Sequence, residues 1–315
     1  MRRKELLLIG ILGLIIYFIL VNPDDNVPMA RDADQPEQRQ HPTSKVKKPI
    51  SRSKEAENLA ASGAFLAPKE PPAMAVRAPI ASGLNHSTER PPNSVSFRNY
   101  KGMAIAYGDV LLGTLQDNVP SGYTNIPTVN YWPSATIPYH IQPNVPNPER
   151  IIKALNYLSD RTVLEFVPYD DNVKDAIVFE VTEENCLSYV GKISGTQPIF
   201  ISAGCDWYHI VHEVLHAVGF VHEHSRPDRD QFINVQWEFI PEIYRSQFEV
   251  LPEPLVGEWL KYEYDTQSIM HYASQDFTKS SQTYSLLRKD GSPIPEPKEL
   301  SPLDIQKIND LFQGR

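Results

Sequence analysis

The feature that most constrains this chain is a run of three histidines, His212, His216 and His222, with a glycine between the last two. On a helix, His212 and His216 are four residues apart, so both imidazoles project from the same face. Gly219 can adopt the left-handed conformation that ends a helix, which lets the chain turn back and bring His222 to the same point. Two imidazoles about 2.0–2.1 Å from one ion are a usual start to a zinc site, and a third leaves one position open, as in catalytic sites.

Glu213 follows the first of these histidines directly, so on a helix its side chain is rotated away from the metal axis. We predict that it is not a ligand but a base that takes a proton from a water molecule bound to the metal. A bare H-E-x-x-H occurs by chance in unrelated helices, whereas the form H-E-x-x-H-x-x-G-x-x-H found here is much harder to meet by accident. The alternative is a buried, histidine-rich helix that binds no metal.

The extended motif is the metzincin signature, and the residues after it resemble the astacin family of zinc endopeptidases. These residues run Glu223-His224-Ser225-Arg226-Pro227-Asp228-Arg229-Asp230. The resemblance covers about residues 100–315, which is two thirds of the chain.

A second stretch, Ser-Ile-Met-His-Tyr from Ser268 to Tyr272, is similar to the methionine turn of the same family. The resemblance implies that Met270 forms an apolar floor below the three histidines. It also implies that Tyr272 is a fifth metal ligand at rest and turns to hold the oxyanion in the transition state. A Met and a Tyr two residues apart would usually indicate core packing, but here they follow the histidine helix in the family's order.

The family resemblance implies an α+β metzincin fold. In that fold a mixed, mostly parallel sheet and the active-site helix form an N-terminal subdomain, and the zinc cleft separates it from a smaller, irregular C-terminal subdomain. The implied cofactor is one Zn²⁺ per chain, and the implied activity is that of a zinc metalloendopeptidase acting on extended protein substrates. A zinc-dependent module that binds peptides without cutting them is the alternative, which the presence of Glu213 disfavours.

The block between Cys186 and Cys205 resembles the segment that forms the upper rim of the cleft in this family, including one of its disulfides. The resemblance therefore implies a Cys186–Cys205 bond, which would stabilise the fold by roughly 3 kcal/mol in the chain-entropy model and fits export to an oxidising compartment. Two free buried thiols are the alternative. We expect an extended substrate to pair with the rim strand around Tyr189 and Val190.

Residues 96–129 are interpreted as a pro-segment. Gly108-Asp109 resembles the aromatic-x-Gly-Asp motif of astacin pro-segments, with Tyr107 one position away from the usual place of the aromatic residue. The resemblance implies that Asp109 takes the open metal position and keeps the precursor latent, permanently so if nothing removes it; an ordinary turn is the alternative. Between Asp109 and Trp132 there is no Lys or Arg, so a trypsin-like cut close to the catalytic domain is excluded.

In the family, the glutamate after the third histidine anchors the new N-terminus of the mature enzyme. Glu223 matches that position, and the absence of a basic cut site leaves its role open. The other histidines near the motif are predicted to be packed or hydrogen-bonded rather than ligands; these are His209, His224 and His271. An ion-paired network that braces the turn is predicted for Arg226, Asp228, Arg229 and Asp230.

The N-terminus combines a basic head with an apolar run, Leu6–Val21, which predicts a signal peptide or a signal anchor over residues 1–21. No small-x-small cleavage site follows directly, which favours an uncleaved anchor over a secreted product. The positive-inside rule then places the bulk of the chain outside the cytoplasm. Residues 22–95 contain eleven prolines and few aromatic residues, so they are predicted to be a disordered linker.

Charge is unevenly distributed along the chain. Residues 1–100 hold 14 basic and 10 acidic side chains, whereas the remainder holds 16 and 29. An acidic C-terminal part argues against nucleic acid as a partner, because binding phosphates needs a basic face. The expected partners are protein or peptide substrates, with a membrane if the N-terminal segment is retained, and the expected state is a monomer.

The peptidase domain is predicted to span residues 130–315. Its first helix is expected to be capped by Asn147, with Pro148 at the first position. Asp206 is the expected cap of the histidine helix, placed near residues 207–218, and Ser301 that of a terminal helix. Strands are predicted over residues 164–167 and 176–181.

Overall fold

The computed structural model describes residues 94–115, 121–126, 128–170, 172–183 and 185–314. The predicted signal or anchor, and the predicted linker as far as residue 93, lie outside the described residues. Ser94 and Val95, which the sequence assigned to the linker, are buried and begin the first strand. Within the described part of the chain, no helix combines the length and the apolar character needed to cross a membrane.

In the described chain, five strands precede the first helix and four strands separate it from the second, after which only short elements occur before the last helix. The strands are β1 Ser94–Tyr100, β2 Met103–Ala106, β3 Val110–Thr114, β4 Gly122–Asn125, β5 Thr136–Ile141, β6 Glu165–Pro168, β7 Ala176–Val181, β8 Leu187–Tyr189, β9 Thr196–Ile201, β10 Ile233–Val235 and β11 Leu286–Arg288. The α-helices are α1 Glu149–Arg161, α2 Trp207–Val218, α3 Glu253–Val256 and α4 Pro302–Phe312. Four 3-10 turns, Glu223–Ser225, Arg229–Gln231, Trp237–Phe239 and Glu242–Phe248, connect α2 to α3 together with β10.

Nine strands form one sheet in the order β4-β1-β2-β3-β8-β9-β7-β5-β6. In the peptidase part, β6, β5, β7 and β9 are parallel neighbours, and only β8 runs antiparallel to β9. This is the mixed, mostly parallel sheet that the family resemblance implied. Strands β1 to β4, which lie in or at the edge of the predicted pro-segment, join the same sheet, with β3 parallel to β8. The sequence analysis missed this extension, which pairs the N–H and C=O groups along the β8 edge.

The two long helices of the peptidase part lie against this sheet. In α1, Ile151, Leu155 and Leu158 are buried, as their helical spacing predicts, whereas Ile152, which we predicted with them, is 38 % exposed. The helix begins one residue later than expected, because Pro148 is the N-cap and Asn147 takes a left-handed conformation with φ 51°. Helix α2 has the predicted bounds.

The C-terminal part, from residue 223 onward, carries only short elements before α4 closes it. Strands β10 and β11 pair antiparallel as a separate two-stranded sheet. Helix α4 begins as predicted, since Ser301 Oγ accepts from the Asp304 backbone N–H at 2.9 Å and the Asp304 carboxylate accepts from the Ser301 N–H at 3.0 Å. The described chain therefore has the α+β architecture with a smaller, irregular C-terminal portion.

Candidate metal centre and active site

Helix α2 presents the first two histidines because its other faces are buried in the core. Val211, Val214, Leu215 and Val218 have no exposed surface. The helix ends at Gly219, which has φ 115° and donates its N–H to the His216 carbonyl oxygen at 2.9 Å. A Cβ at this position would also lie 2.5 Å from the ring of Tyr131, so both conformation and space require glycine.

The turn after Gly219 brings the third histidine to the first two. The Nε2 atom of His222 lies 3.1 Å from Nε2 of His212 and 3.3 Å from Nε2 of His216. Ligand nitrogens of a tetrahedral ion with bonds of about 2.0–2.1 Å are roughly 3.3 Å apart, so the spacing fits one zinc ion. The structure thus places the three predicted ligands around one point.

The other ring nitrogens show which atoms are free to bind. His212 Nδ1 lies 2.8 Å from the Ile269 carbonyl oxygen, and His216 Nδ1 lies 2.8 Å from the Phe220 carbonyl oxygen. A carbonyl can only accept, so each Nδ1 carries the proton and each Nε2 presents a lone pair. Burial lowers the pKa of His216 to about 4 and also lowers the pKa of His222, so both rings are neutral at pH 7. The Asp109 carboxylate instead raises the pKa of His212 in spite of its burial. A metal cation held between the Nε2 atoms would remove the repulsion of lone pairs that face one another.

Asp109 supplies a fourth group to this point, as the pro-segment motif implied. Its carboxylate oxygens lie 3.5, 3.4 and 3.3 Å from Nε2 of the three histidines. Ligand atoms from Asp109 and the histidines all lie within 4.8 Å of one another. The β2–β3 turn makes this possible, since Tyr107 and Gly108 have φ values of 49° and 94° and reverse the chain just before the aspartate.

Glu213 lies beside this centre and is only 2 % exposed. Its Oε2 atom is buried without a hydrogen-bond partner in the described part of the chain. Burial, and then the nearby Asp109 charge, raise the pKa of the Glu213 carboxyl well above its usual value. An unpaired buried carboxylate is costly, and a water molecule at the metal would give it a partner.

The methionine turn is joined to the histidine helix through its backbone, since the Ile269 carbonyl oxygen lies 2.8 Å from His212 Nδ1. Met270 is 1 % exposed, and its carbonyl oxygen accepts from the Glu223 N–H at 2.9 Å. The Tyr272 hydroxyl donates to the Tyr107 carbonyl oxygen of the predicted pro-segment at 2.8 Å, a contact that the resemblance did not imply. The Tyr272 ring stacks on His224, with ring centroids 3.8 Å apart.

The predicted substrate rim is covered by β3 of the predicted pro-segment. Strand β8 contains Tyr189, and β3 pairs with it in parallel so that Leu111 lies opposite Tyr189. The Ser188 N–H donates to the Asp109 carbonyl oxygen at 3.0 Å, next to the carboxylate that reaches the histidines. Val190 follows the strand and packs against the main core. A substrate could use this edge only after β3 leaves it.

The structure forms the disulfide that the resemblance implied. Cys186 and Cys205 are bonded at 2.01 Å. The bond ties the residue before β8 to the residue before the Asp206 cap of α2. It therefore links the substrate rim to the helix that carries the first two ligands.

The three histidines near the motif that were predicted not to be ligands, His209, His224 and His271, are packed or hydrogen-bonded. His209 Nδ1 accepts from the Asp206 N–H at 3.0 Å, at the start of α2. His271 contacts the Tyr272 carbonyl oxygen through Nδ1 at 2.7 Å and the Tyr264 hydroxyl through Nε2 at 2.8 Å. Burial lowers the pKa of His271 to about 4, so it is neutral.

The predicted ionic network is present and extends further than expected. Arg226 donates to the Glu223 carboxylate at 3.0 Å and to Asp228 at 2.8 Å, and Arg229 pairs with Asp230 at 3.3 Å. Arg226 is 1 % exposed, so its guanidinium depends on these carboxylates to offset the loss of water.

Two charged residues of α4 complete the surroundings of the centre and were missed. Asp304 accepts from the Ile269 N–H at 2.9 Å, and Lys307 donates to the Glu223 carboxylate at 2.9 Å. The sequence carried one signal for Lys307, because it stands four residues before Leu311 and so lies on the apolar side of the helix.

Comparisons with known proteins agree with this arrangement. A family model described as Astacin, a peptidase family, matches residues 125–313. Zinc metalloproteinase nas-4 of Caenorhabditis elegans is 34 % identical over 214 residues, which are 65 % of this chain and 68 % of that protein. Zinc metalloproteinase nas-7 of the same nematode is 35 % identical over 184 residues, 58 % of this chain and 48 % of that protein. The chain thus spans about two thirds of one relative and about half of the other.

Among solved structures, High choriolytic enzyme 1, a hatching enzyme zinc-protease from Oryzias latipes (medaka fish), is similar to this chain. It is 29 % identical, and the match covers 59 % of this chain and 95 % of that structure with a TM-score of 0.53. The fold is therefore shared with a zinc protease.

Proposed function

The chain belongs to the astacin family of zinc metalloendopeptidases, and from this membership we propose that it is made as a latent precursor and cuts extended protein substrates with Glu213 as its general base. The observation that carries the proposal is the meeting of three histidine Nε2 atoms beside the unpaired buried carboxylate of Glu213. When bound there, zinc lowers the pKa of a coordinated water molecule to about 7 and polarises the scissile carbonyl.

The role of Glu213 follows from its position and its surroundings. Its carboxylate is buried next to the ligands, and burial raises its pKa, so it can accept a proton and keep it until the leaving amine takes it. Because α2 is packed into the core on its other faces, the carboxylate does not have to be ordered when substrate arrives.

Tyr272 is proposed to donate a hydrogen bond to the oxyanion, as the resemblance implies. Burial raises the pKa of its hydroxyl well above the usual value, so it stays protonated and remains a donor. In the precursor this hydroxyl already donates its hydrogen bond to the Tyr107 carbonyl oxygen.

The proposed substrate is an extended polypeptide that replaces β3 on the edge of β8. Backbone pairing with residues near Tyr189 and Val190 would supply affinity without fixing the sequence that is cut. We propose monomeric action on protein or peptide substrates. The Cys186–Cys205 bond supports an oxidising, extracytoplasmic location.

Latency is proposed to rest on three contacts of the pro-segment. Asp109 fills the fourth position at the centre, Tyr107 holds the Tyr272 hydroxyl, and β3 covers the substrate edge. Asp109 thus gains a role beyond an ordinary turn. Division of the chain into a leader, a linker, this pro-segment and a peptidase domain remains part of the proposal.

The test uses the full chain with residues 116–120, between β3 and β4, replaced by the recognition site of a sequence-specific protease. After the cut, wild type should degrade casein, stop when a chelator is added, and recover with zinc. Glu213→Gln should keep one zinc per chain and lose about 10²–10⁴ in kcat. Glu242→Gln, an exposed glutamate, is the matched control.

The outcomes separate the proposal from its alternative. Wild-type cleavage by Glu213→Gln would remove this residue as the base. A cut wild-type chain that binds zinc and peptide but never cleaves would instead favour the non-catalytic binding module.

A further inference from the structure

Helix α4 places a lysine inside the protein, close to the metal centre. Lys307 is 2 % exposed, and its Nζ atom donates to Glu223 Oε2 at 2.9 Å. A buried ammonium is costly unless it is paired, and a buried ion pair by itself adds little to stability compared with apolar residues. The position of this pair therefore calls for a reason other than stability.

The partner, Glu223, is fixed from several sides. It is 4 % exposed, and its Oε1 atom accepts from Arg226 and from the Asp265 N–H, each at 3.0 Å. Lys307 supplies the hydrogen bond to the other carboxylate oxygen. The Glu223 N–H in turn donates to the Met270 carbonyl oxygen. Both the side chain and the backbone of this residue are thus held in place.

His222, the residue before Glu223, is held less firmly than the other two ligands. His212 and His216 each fix their ring through Nδ1 and a backbone carbonyl. His222 Nδ1 is buried and has no hydrogen-bond partner in the described part of the chain. The aim of this third ring therefore depends on packing and on the backbone that it shares with Glu223.

We propose that Lys307 is a positioning residue for the metal site, acting through Glu223 on His222. The helix that carries Lys307 also supports His212, since Asp304 accepts from the Ile269 N–H and the Ile269 carbonyl oxygen accepts from His212 Nδ1. Outer contacts of this kind typically change metal affinity by about 10–100-fold when they are removed. The inference rests on the zinc site of the proposed function.

The experiment uses the uncut full-length chain and metal binding as its readout. Zinc affinity is measured by competition with a chromophoric chelator, and ligand geometry by the visible absorption of the Co²⁺ form. Lys307→Met should weaken zinc binding about 10–100-fold and change the Co²⁺ spectrum. Lys307→Arg should have a zinc affinity and a Co²⁺ spectrum close to those of wild type, because it keeps the positive charge. Gln306→Met, one residue away on the exposed side of the helix, should match wild type.

The role is overturned if folded Lys307→Met binds zinc with wild-type affinity and shows a wild-type Co²⁺ spectrum, even if its melting temperature falls. If circular dichroism shows that Lys307→Met does not fold, Glu223→Gln decides, since it keeps an oxygen for Arg226 and removes the charge that Lys307 holds. Unchanged zinc affinity in Glu223→Gln would also overturn the role. A wild-type chain that binds no zinc would overturn the proposed function itself, and this inference with it.

Discussion

The Tyr272 hydroxyl donates a hydrogen bond to the Tyr107 carbonyl oxygen at 2.8 Å, across 165 residues of sequence. Two residues after Tyr107, the same turn carries Asp109 to within 3.3 Å of His222. One tight turn therefore engages both the proposed oxyanion donor and the proposed metal position. Each of these contacts can be removed separately, which makes the proposed latency testable.

Removing the Asp109 carboxylate should partly activate the uncut chain. Asp109→Ala frees the fourth position at the centre but leaves β3 on the edge of β8, so activation should be incomplete. A hydrogen bond or contact to a charged group is worth about 1.5–3 kcal/mol, which corresponds to roughly a 10–100-fold rise in basal cleavage. Cleavage of a quenched fluorescent peptide by the uncut protein measures this. Equal activity of the variant and wild type would eliminate latency through this residue.

Gly108→Ala should weaken the same latency by disturbing the contact between the 107–109 turn and Tyr272. Gly108 has φ 94°, and a Cβ there would lie 2.5 Å from the Tyr272 hydroxyl oxygen. The turn must shift, so we expect the precursor to lose about 1–2 kcal/mol of unfolding free energy and to gain basal activity. Gly291→Ala is the matched control, because Gly291 has φ 84° but no atom within 4 Å of the added Cβ. If both variants lose stability equally and neither gains activity, the closeness of Gly108 to Tyr272 does not contribute to latency.

After the engineered cut, Tyr272→Phe should lose turnover without losing metal. The variant keeps the ring that stacks on His224 and removes only the hydroxyl. Loss of one oxyanion donor typically costs about 10²–10³ in kcat, with little change in KM. Kinetics on a peptide substrate and zinc content by atomic absorption measure the two effects, with the exposed Tyr244→Phe as control. A normal kcat in Tyr272→Phe would contradict the role that the resemblance implies.

The centre could be predicted from the sequence because its parts are local. Helical spacing places His212 and His216 on one face, and Gly219 predicts the turn that returns His222. The contacts that brace the centre were not predictable in this way. Lys307 and Glu223 are 84 residues apart, and periodicity shows that a residue faces inward without showing its partner. The pro-segment strands were missed for a similar reason, since pairing with β8 depends on an edge that only the folded sheet creates.

The free energy of unfolding should fall between pH 4.5 and 7.5 because of Asp276, which lines the same cleft as His212 and Tyr208. Burial raises the pKa of the Asp276 carboxyl to about 6, against about 3.9 in an unfolded chain. Below pH 3.9 both states are protonated. Between the two pKa values the folded state binds more protons, so stability falls as the pH rises through 6. At pH 4.5 the contribution is about 2 kcal/mol, and it is lost by pH 7.5.

Asp276→Asn removes this titration and keeps an oxygen for the Ala273 N–H, which now donates to the carboxylate at 2.7 Å. Urea unfolding at pH 4.5 and 7.5 measures the effect. A chelator is present throughout, so that every sample is free of metal and loss of metal in acid does not change the comparison. Wild type should lose about 2 kcal/mol more than Asp276→Asn between these pH values. Asp160→Asn, an exposed change on α1, controls for loss of a carboxylate as such. If wild type and Asp276→Asn show the same pH dependence, the Asp276 carboxyl ionises freely in the folded cleft and contributes nothing to it.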